Sequence, residues 1–180
     1  MMPELKRALF LDRDGVINVD IGYLHRPEDC TFVPGIFELV RKARRAGYGV
    51  FVVTNQAGIA RGYYDERTFD AFTAWMLERF VAEGAPITQV YYCPHHPTAG
   101  LGEYKRHCEC RKPAPGMFLR AAREHGIDLE RSVMIGDAET DMVAAEQAGI
   151  QARYLVGTGQ GHERGFCSVA SLNELAKMLF

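Results

Sequence analysis

Ala8-Leu9-Phe10-Leu11-Asp12-Arg13-Asp14-Gly15 is the stretch on which the fold turns. Four apolar residues follow one another without polar alternation and then stop at an acidic, glycine-containing turn. A short run that is apolar on both faces reads as a buried parallel strand. The same pattern recurs at Val50-Phe51-Val52-Val53 before Thr54 and at Val133-Met134-Ile135 before Gly136-Asp137. Ile87 to Tyr92 and Arg153 to Val156, the latter closed by Gly157, bring the expected strands to five.

Helical patterns lie between these runs. Ile36, Leu39, Val40 and Ala43 recur at helical spacing after Pro34-Gly35 and stop before Gly47. Asp65 is positioned as the N-cap of a second helix that carries Phe69, Phe72, Trp75, Met76, Leu77 and Phe80 and ends near Gly84. That aromatic stripe is core by its spacing. A third helix follows Pro115 and stops at Gly126, a fourth runs from about Glu139 to Gly149, and a fifth begins at Ser171 with Glu174 completing a capping box. Strands alternating with helices predict an α/β fold, a doubly wound and mainly parallel sheet with ligands beyond the carboxyl ends of its strands.

The chain has 180 residues, enough for one domain, 1–180, with a core of its own. Lys+Arg is 21 and Asp+Glu is 23, giving a net charge of −2 that argues against nucleic acid and anionic lipid as partners. The N-terminal apolar run is too short for a signal peptide or a membrane span, so a cytoplasmic protein is expected. Two irregular stretches remain, Gly15 to Val33 and Cys93 to Pro115. Loops of that length in a compact domain are usually functional or braced by something other than a core.

Asp12 and Asp14 follow a buried strand and can project into one cleft, and Asp137 ends another strand. Desolvating carboxylates together is costly unless a cation intervenes, and magnesium, with oxygen ligands and waters, suits them. Thr54-Asn55-Gln56-Ala57-Gly58 offers a hydroxyl, amides and flexible backbone to an anionic substrate, although Thr and Asn also serve as turn or cap residues. Lys112, in Arg111-Lys112-Pro113-Ala114-Pro115-Gly116, stands either as a solvated charge or as an ammonium held over a phosphoryl group at the base of the third helix.

The ordered set Asp12-x-Asp14, Thr54, Lys112 and Gly136-Asp137-x-x-x-Asp141 resembles the four motifs of the haloacid-dehalogenase phosphatase superfamily over most of the chain. Within it, Gly22-Tyr23-Leu24-His25-Arg26-Pro27, Thr54-Asn55-Gln56-x-Gly58-Ile59-x-Arg61-Gly62 and Cys110-Arg111-Lys112-Pro113 are similar to the branch that hydrolyses sugar bisphosphates. The resemblance implies a Rossmann-like core without a large cap domain, so the two irregular stretches must wall the cleft. It also implies phosphoryl transfer through an aspartyl-phosphate, with Asp12 as nucleophile and Asp14 as general acid and then base. Magnesium would be held by Asp12, Asp137 and the backbone carbonyl of Asp14, while Thr54 and Lys112 would neutralise phosphoryl oxygens. Asp141 is expected behind these ligands or, equally, as a surface acid near a helix N-terminus. The implied substrate contacts are Asp20, Ile21, Gly22, Tyr23, Thr54, Asn55, Gln56, Ala57, Arg111 and Lys112, around a small-molecule sugar phosphate bound by a monomer. Ala138 stands where some relatives carry Lys, which removes one positive charge.

Cys93-x-His95, twelve residues, then Cys108-x-Cys110 presents two close ligand pairs suited to tetrahedral zinc in a loop of about 93–110. His96 and His107 can substitute, but the resemblance selects His95. Four committed ligands leave no open position, so the zinc would be structural. Cys30 and Cys167 are read as free thiols, and His25, His125 and His162 as loop or surface histidines. Two other functions fit parts of the pattern: a histidinol-phosphate phosphatase of the same superfamily, and a zinc-stabilised nucleic-acid-binding module, which the charge disfavours.

Overall fold

The computed structural model describes residues 6–157 and 165–180. Its centre is a six-stranded sheet, all of whose strand pairs are parallel. The strands are β1 (Ala8–Leu11), β2 (Gly49–Asn55), β3 (Gln89–Cys93), β4 (Val133–Gly136), β5 (Ala152–Val156) and β6 (Cys167–Val169), in the order β3-β2-β1-β4-β5-β6. The helices are α1 (Ile36–Arg45), α2 (Ala57–Ala60), α3 (Glu66–Ala82), α4 (Gly116–His125), α5 (Glu139–Gln147) and α6 (Leu172–Leu179). The five expected helices correspond to α1, α3, α4, α5 and α6. The four-residue α2 is too short to show a period, and β6 is a three-residue edge strand with only Val169 buried.

Burial explains the unbroken apolar runs. Leu9 and Leu11 face one layer with Val50 and Val52, under α1, α3 and α6, while Ala8 and Phe10 face the opposite layer with Phe51 and Val53, under α4 and α5. Successive side chains on a strand point to opposite faces, so both parities must be apolar when both faces are covered. The aromatic stripe of α3 does pack as core: Phe69, Phe72, Met76 and Phe80 are buried, and Trp75 and Leu77 pack against them.

Two boundaries depart from the pattern and one matches it. β3 starts at Gln89 instead of Ile87, because the Val50 N–H is taken by the Thr88 hydroxyl at 3.3 Å and not by a strand carbonyl. Asp65 caps α3 as expected, accepting from Thr68 N at 2.8 Å. At α6 Ser171 accepts from Glu174 N, but Glu174 returns its bond to Ala170 N, one residue before the cap.

The strand order reverses at β1, where the first β1–β2–β3 half meets the β4–β5–β6 half, and ligands of open α/β sheets gather outside the carboxyl ends at such a point. Loops 15–33 and 93–115 flank it, each carrying one 3-10 turn, at Pro27–Asp29 and Gly102–Tyr104. Among the described residues no helix is long and apolar enough to cross a membrane.

Candidate active site

Asp12 follows β1 directly and extends its pairing, donating its N–H to Ile135 O at 3.0 Å. Across from it lies Lys112, whose side chain is only 2% exposed. The ammonium donates to Val53 O at 2.8 Å and forms ion pairs with Asp12 Oδ1 at 3.0 Å and Asp141 Oδ1 at 2.6 Å. Its three close neighbours are all oxygens, two of them from carboxylates. Asn55, at the end of β2, clasps the Lys112 backbone from both sides, donating to Lys112 O and accepting from Lys112 N, each at 3.0 Å. Lys112 is thus a buried cation, and the solvated alternative is gone.

Asp141 is 1% exposed and belongs to the same cluster. Its Oδ2 accepts from Asp137 N at 3.2 Å and Ala138 N at 3.1 Å, so it caps α5 and at the same time holds Lys112. The surface-acid alternative falls with that placement. Asp137 sits on the exposed side, and Gly15 makes room for it: a Cβ there would stand 2.0 Å from Asp137 Oδ2, on a backbone with φ of 81°.

Asp12, Asp137 and Asp141 each offer an oxygen within 4.8 Å of the others. Burial pushes Asp12 up to about 8, against the pull of Lys112 and with Asp141 and Asp137 adding repulsion. Burial likewise raises Asp137 to about 6, with Asp141 the next cause. Burial works against the Lys112 charge too, but Asp12 and Asp141 outweigh it and hold its pKa above the usual value. Three carboxylates against one ammonium leave a deficit of two positive charges. A divalent, oxygen-seeking ion such as magnesium fits that deficit and that donor set.

Asp14 is held differently. Arg13 donates from Nε to Oδ2 at 3.2 Å and from Nη2 to both oxygens at 3.1 Å. Asn18 Nδ2 reaches Oδ1 at 3.0 Å and Gln56 Nε2 reaches Oδ2 at 3.3 Å. Gln56 also donates to Thr54 Oγ1 at 2.8 Å and accepts from Tyr64 Oη at 2.6 Å. Thr54 is a buried residue of β2 and caps nothing; with Oγ1 already accepting, its own hydroxyl proton is free for an anion.

A cavity of about 340 Å3 opens beside Asp14 and is lined by Asp20, Gly22, Tyr23, Asn55, Gln56 and Ala57, together with Gly58 and Tyr64. Six of the residues expected to contact substrate are therefore brought together. Ile21 is 55% exposed and is not part of that lining. Thr54 lies behind it, and Arg111 and Lys112 line a neighbouring cavity of about 230 Å3 on the cysteine side. The side chains of Asn55 and Gln56 are engaged with protein atoms, so what they present to the cavity is chiefly backbone. A larger cavity of about 600 Å3 lies beyond Tyr64, near Leu101 and Tyr104, and touches none of the clustered acids.

Cys93, His95, Cys108 and Cys110 converge so that their ligand atoms lie within 4.8 Å of one another. The sulfurs stand 3.1–3.5 Å apart, near the edge of about 3.8 Å for a tetrahedron with Zn–S of about 2.3 Å. A hydrogen bond with Cys93 holds the Cys110 thiol down at about 5, and the same bond pushes Cys93 up. His95 faces Cys110 through Nδ1 at 3.5 Å. His96 instead accepts from Ala99 N at 3.0 Å, and neither it nor His107 joins the group. Arg111 Nη1 donates to His95 O at 3.1 Å and ties the cluster to the cleft.

Cys30 and Cys167 are free. His25 stacks on Tyr64 at 4.8 Å and His125 packs on Phe51 at 4.8 Å, both half-buried and not loose surface groups. His162 lies outside the described residues. Sequence reasoning missed Arg13, Tyr64 and Glu66, the last accepting from Tyr92 and Tyr104 and so fastening the cysteine loop to α3. Arg13 carried a faint signal, a cation between two acids; the other two carried none.

Residues 109–169 match the HAD-hydrolase-like family model. The chain is 51% identical over 155 residues to the D-glycero-beta-D-manno-heptose-1,7-bisphosphate 7-phosphatase of Vibrio cholerae, covering 86% of this chain and 83% of that one. It is also 51% identical, over 150 residues, to the D-glycero-alpha-D-manno-heptose-1,7-bisphosphate 7-phosphatase of Burkholderia mallei, covering 83% and 79%. The crystal structure of D,D-heptose 1,7-bisphosphate phosphatase from B. bronchiseptica, complexed with magnesium and phosphate, superposes with a TM-score of 0.82 at 33% identity over 96% of this chain and 97% of that one.

Proposed function

The chain belongs to the haloacid-dehalogenase-like phosphatases, and from that premise we propose that it removes the 7-phosphate of D-glycero-D-manno-heptose 1,7-bisphosphate. The observation that carries the reading is the pairing of Asp12 with a buried Lys112 beside a cavity lined by Asp20, Tyr23 and Gln56. The same reading has a cytoplasmic monomer acting on a small-molecule sugar phosphate in the supply of heptose for lipopolysaccharide core, with residues 1–180 as one domain.

Asp12 attacks phosphorus, and the departing sugar oxygen takes its proton from Asp14. Asp14, now ionised, removes a proton from water, which attacks the aspartyl-phosphate and frees Asp12. Two displacements replace one difficult step, and general acid–base help of this kind is worth roughly 10²–10⁴-fold. Magnesium, held by Asp12, Asp137 and the Asp14 carbonyl, would supply charge neutralisation at the phosphoryl oxygens. Esterification removes the Asp12 charge, so the Lys112 ammonium paired with it becomes available to the transferring group without new desolvation. Thr54 offers its hydroxyl proton to a second oxygen. Zinc bound by Cys93, His95, Cys108 and Cys110 would be structural, its binding free energy on the order of 10 kcal/mol serving to fix Arg111 and Lys112 at the cleft.

The test is phosphate release with added magnesium from both anomers of the bisphosphate, from heptose 7-phosphate and from histidinol phosphate. The expected product is heptose 1-phosphate, with turnover abolished in Asp12→Asn while fold and zinc content persist. A higher kcat/KM on histidinol phosphate, or an Asp12→Asn variant that turns over normally, overturns the reading.

A further inference from the structure

The Arg13 side chain is 1% exposed, an unusual setting for a guanidinium. Its Nη2 donates to Leu24 O at 2.8 Å, inside the loop that walls the cleft, and its plane lies 5.1 Å from the Phe72 ring and 5.9 Å from Phe69 on α3. Three of its four described bonds go to Asp14. A planar fork packed on aromatic rings has little rotational freedom, so it transmits a fixed geometry to the carboxylate it binds. A lysine in its place would keep the charge and lose the fork.

A relay supplies a further donor to Asp14 Oδ2. Tyr64 Oη donates to Gln56 Oε1, which leaves the Gln56 amide hydrogens directed at Thr54 Oγ1 and Asp14 Oδ2. Without the tyrosine proton the amide can turn over, and an oxygen would then face the Asp14 oxygen. The Gln56 bond, at 3.3 Å, is the longest on Asp14, and both residues line the cavity, so a leaving-group oxygen or a water can take its place.

We propose that Arg13 is a positioning residue of this phosphatase: its buried guanidinium fixes the Asp14 carboxyl for proton transfer, and Tyr64, through Gln56, sets the remaining donor on Oδ2. The inference rests on the acid–base role given to Asp14 under the proposed function. A residue that merely supports the fold would slow all substrates alike. A residue that aims the acid matters only where the leaving group needs a proton, and 4-nitrophenolate needs none while a sugar alkoxide does.

The experiment compares the first-turnover rate on the heptose bisphosphate with the burst of 4-nitrophenolate from 4-nitrophenyl phosphate, in magnesium, for wild type, Asp14→Asn, Arg13→Lys and Tyr64→Phe. Asp14→Asn sets the full split: the sugar ester slowed by about 100-fold or more and the burst within about 3-fold. Arg13→Lys is expected to slow the sugar ester by about 10–30-fold and Tyr64→Phe by about 3–10-fold, each with the burst retained. Tyr64→Phe deletes one hydroxyl and carries the test alone if Arg13→Lys does not fold. If Asp14→Asn splits the two substrates while both other variants slow them equally, or not at all, Arg13 and Tyr64 do not position the acid. If Asp14→Asn itself gives no split, the acid–base reading fails and the inference falls with it.

Discussion

Replacing Lys112 by methionine keeps the length of the stem and removes only the ammonium. Asp12, 14% exposed, and Asp141, 1% exposed, then face one another without a cation, and Val53 O loses its donor. Breaking a buried pair from one side costs about 3–5 kcal/mol, because a charge is left desolvated, and the lost bond to Val53 adds about 1 kcal/mol. The loss of about 4–6 kcal/mol should lower Tm by roughly 10–20 °C in a chain of this size. The sign of its pH dependence follows from the acids. Asp12, held near 8 by burial even with the lysine present, keeps its proton to still higher pH once the lysine is gone, well past the point at which the unfolded chain has released it. The folded form therefore binds more protons, and stability falls as pH rises, by up to about 1.4 kcal/mol per pH unit for each retained proton. Calorimetry of both proteins in magnesium-free buffer, zinc retained, should show a deficit larger at about pH 9.5 than at about pH 6. A deficit equal at the two pH values, or a Tm within about 3 °C of wild type, refutes the charge argument.

The wild-type protein without magnesium should itself lose stability as pH rises from about 4 towards 8, since Asp12 and Asp137 are held near 8 and 6; added magnesium should flatten that slope in the same calorimetric scan. Gly58→Ala would place a Cβ 2.3 Å from the Tyr64 ring, so about 1–3 kcal/mol of overpacking, partly offset by about 1 kcal/mol of helix propensity, should lower Tm and sugar-phosphate turnover together. Cys110→Ser should release the metal, seen as loss of zinc by elemental analysis, and should raise KM through Arg111 and lower kcat through Lys112, with a melting transition that zinc no longer shifts.

How much of this was legible depends on whether a residue announces itself along the chain or only across it. Asp12 and Asp137 end apolar runs, and a buried run that stops at an acid marks a cleft by local pattern alone. The two cysteine pairs are equally local. Asp141 stood between two readings because its spacing fits a helix N-terminus as well as a buried cluster, and only its 2.6 Å contact with Lys112 decides. Asn55 and Gln56, expected at the substrate, do line the cavity beside Asp14, but their amides serve Lys112, Thr54 and Asp14, partners up to 57 residues away. Arg13 shows the same limit from the other side: nothing in its neighbours along the chain says that Leu24 and Phe72 will close over it.

Lys112 poses the harder physical problem, since a desolvated ammonium costs several kcal/mol and a flexible carrier would let it swing into water. It is fixed from three directions. β2 grips it through Val53 O and both ends of the Asn55 amide, α4 begins four residues later, and Gly116 packs so tightly under Glu109 that a Cβ would stand 2.2 Å from its carbonyl. The third direction is the cysteine cluster, whose last ligand, Cys110, is two residues from Lys112. A metal that pins that sulfur confines the ammonium to the reach of two peptide units. Without it the tether runs back through the irregular loop to Cys93 at the end of β3, and the entropy of that longer span is set against the attraction of Asp12 and Asp141. With zinc bound, the cysteine loop and the acid cluster would therefore act as two halves of one device for holding a single charge.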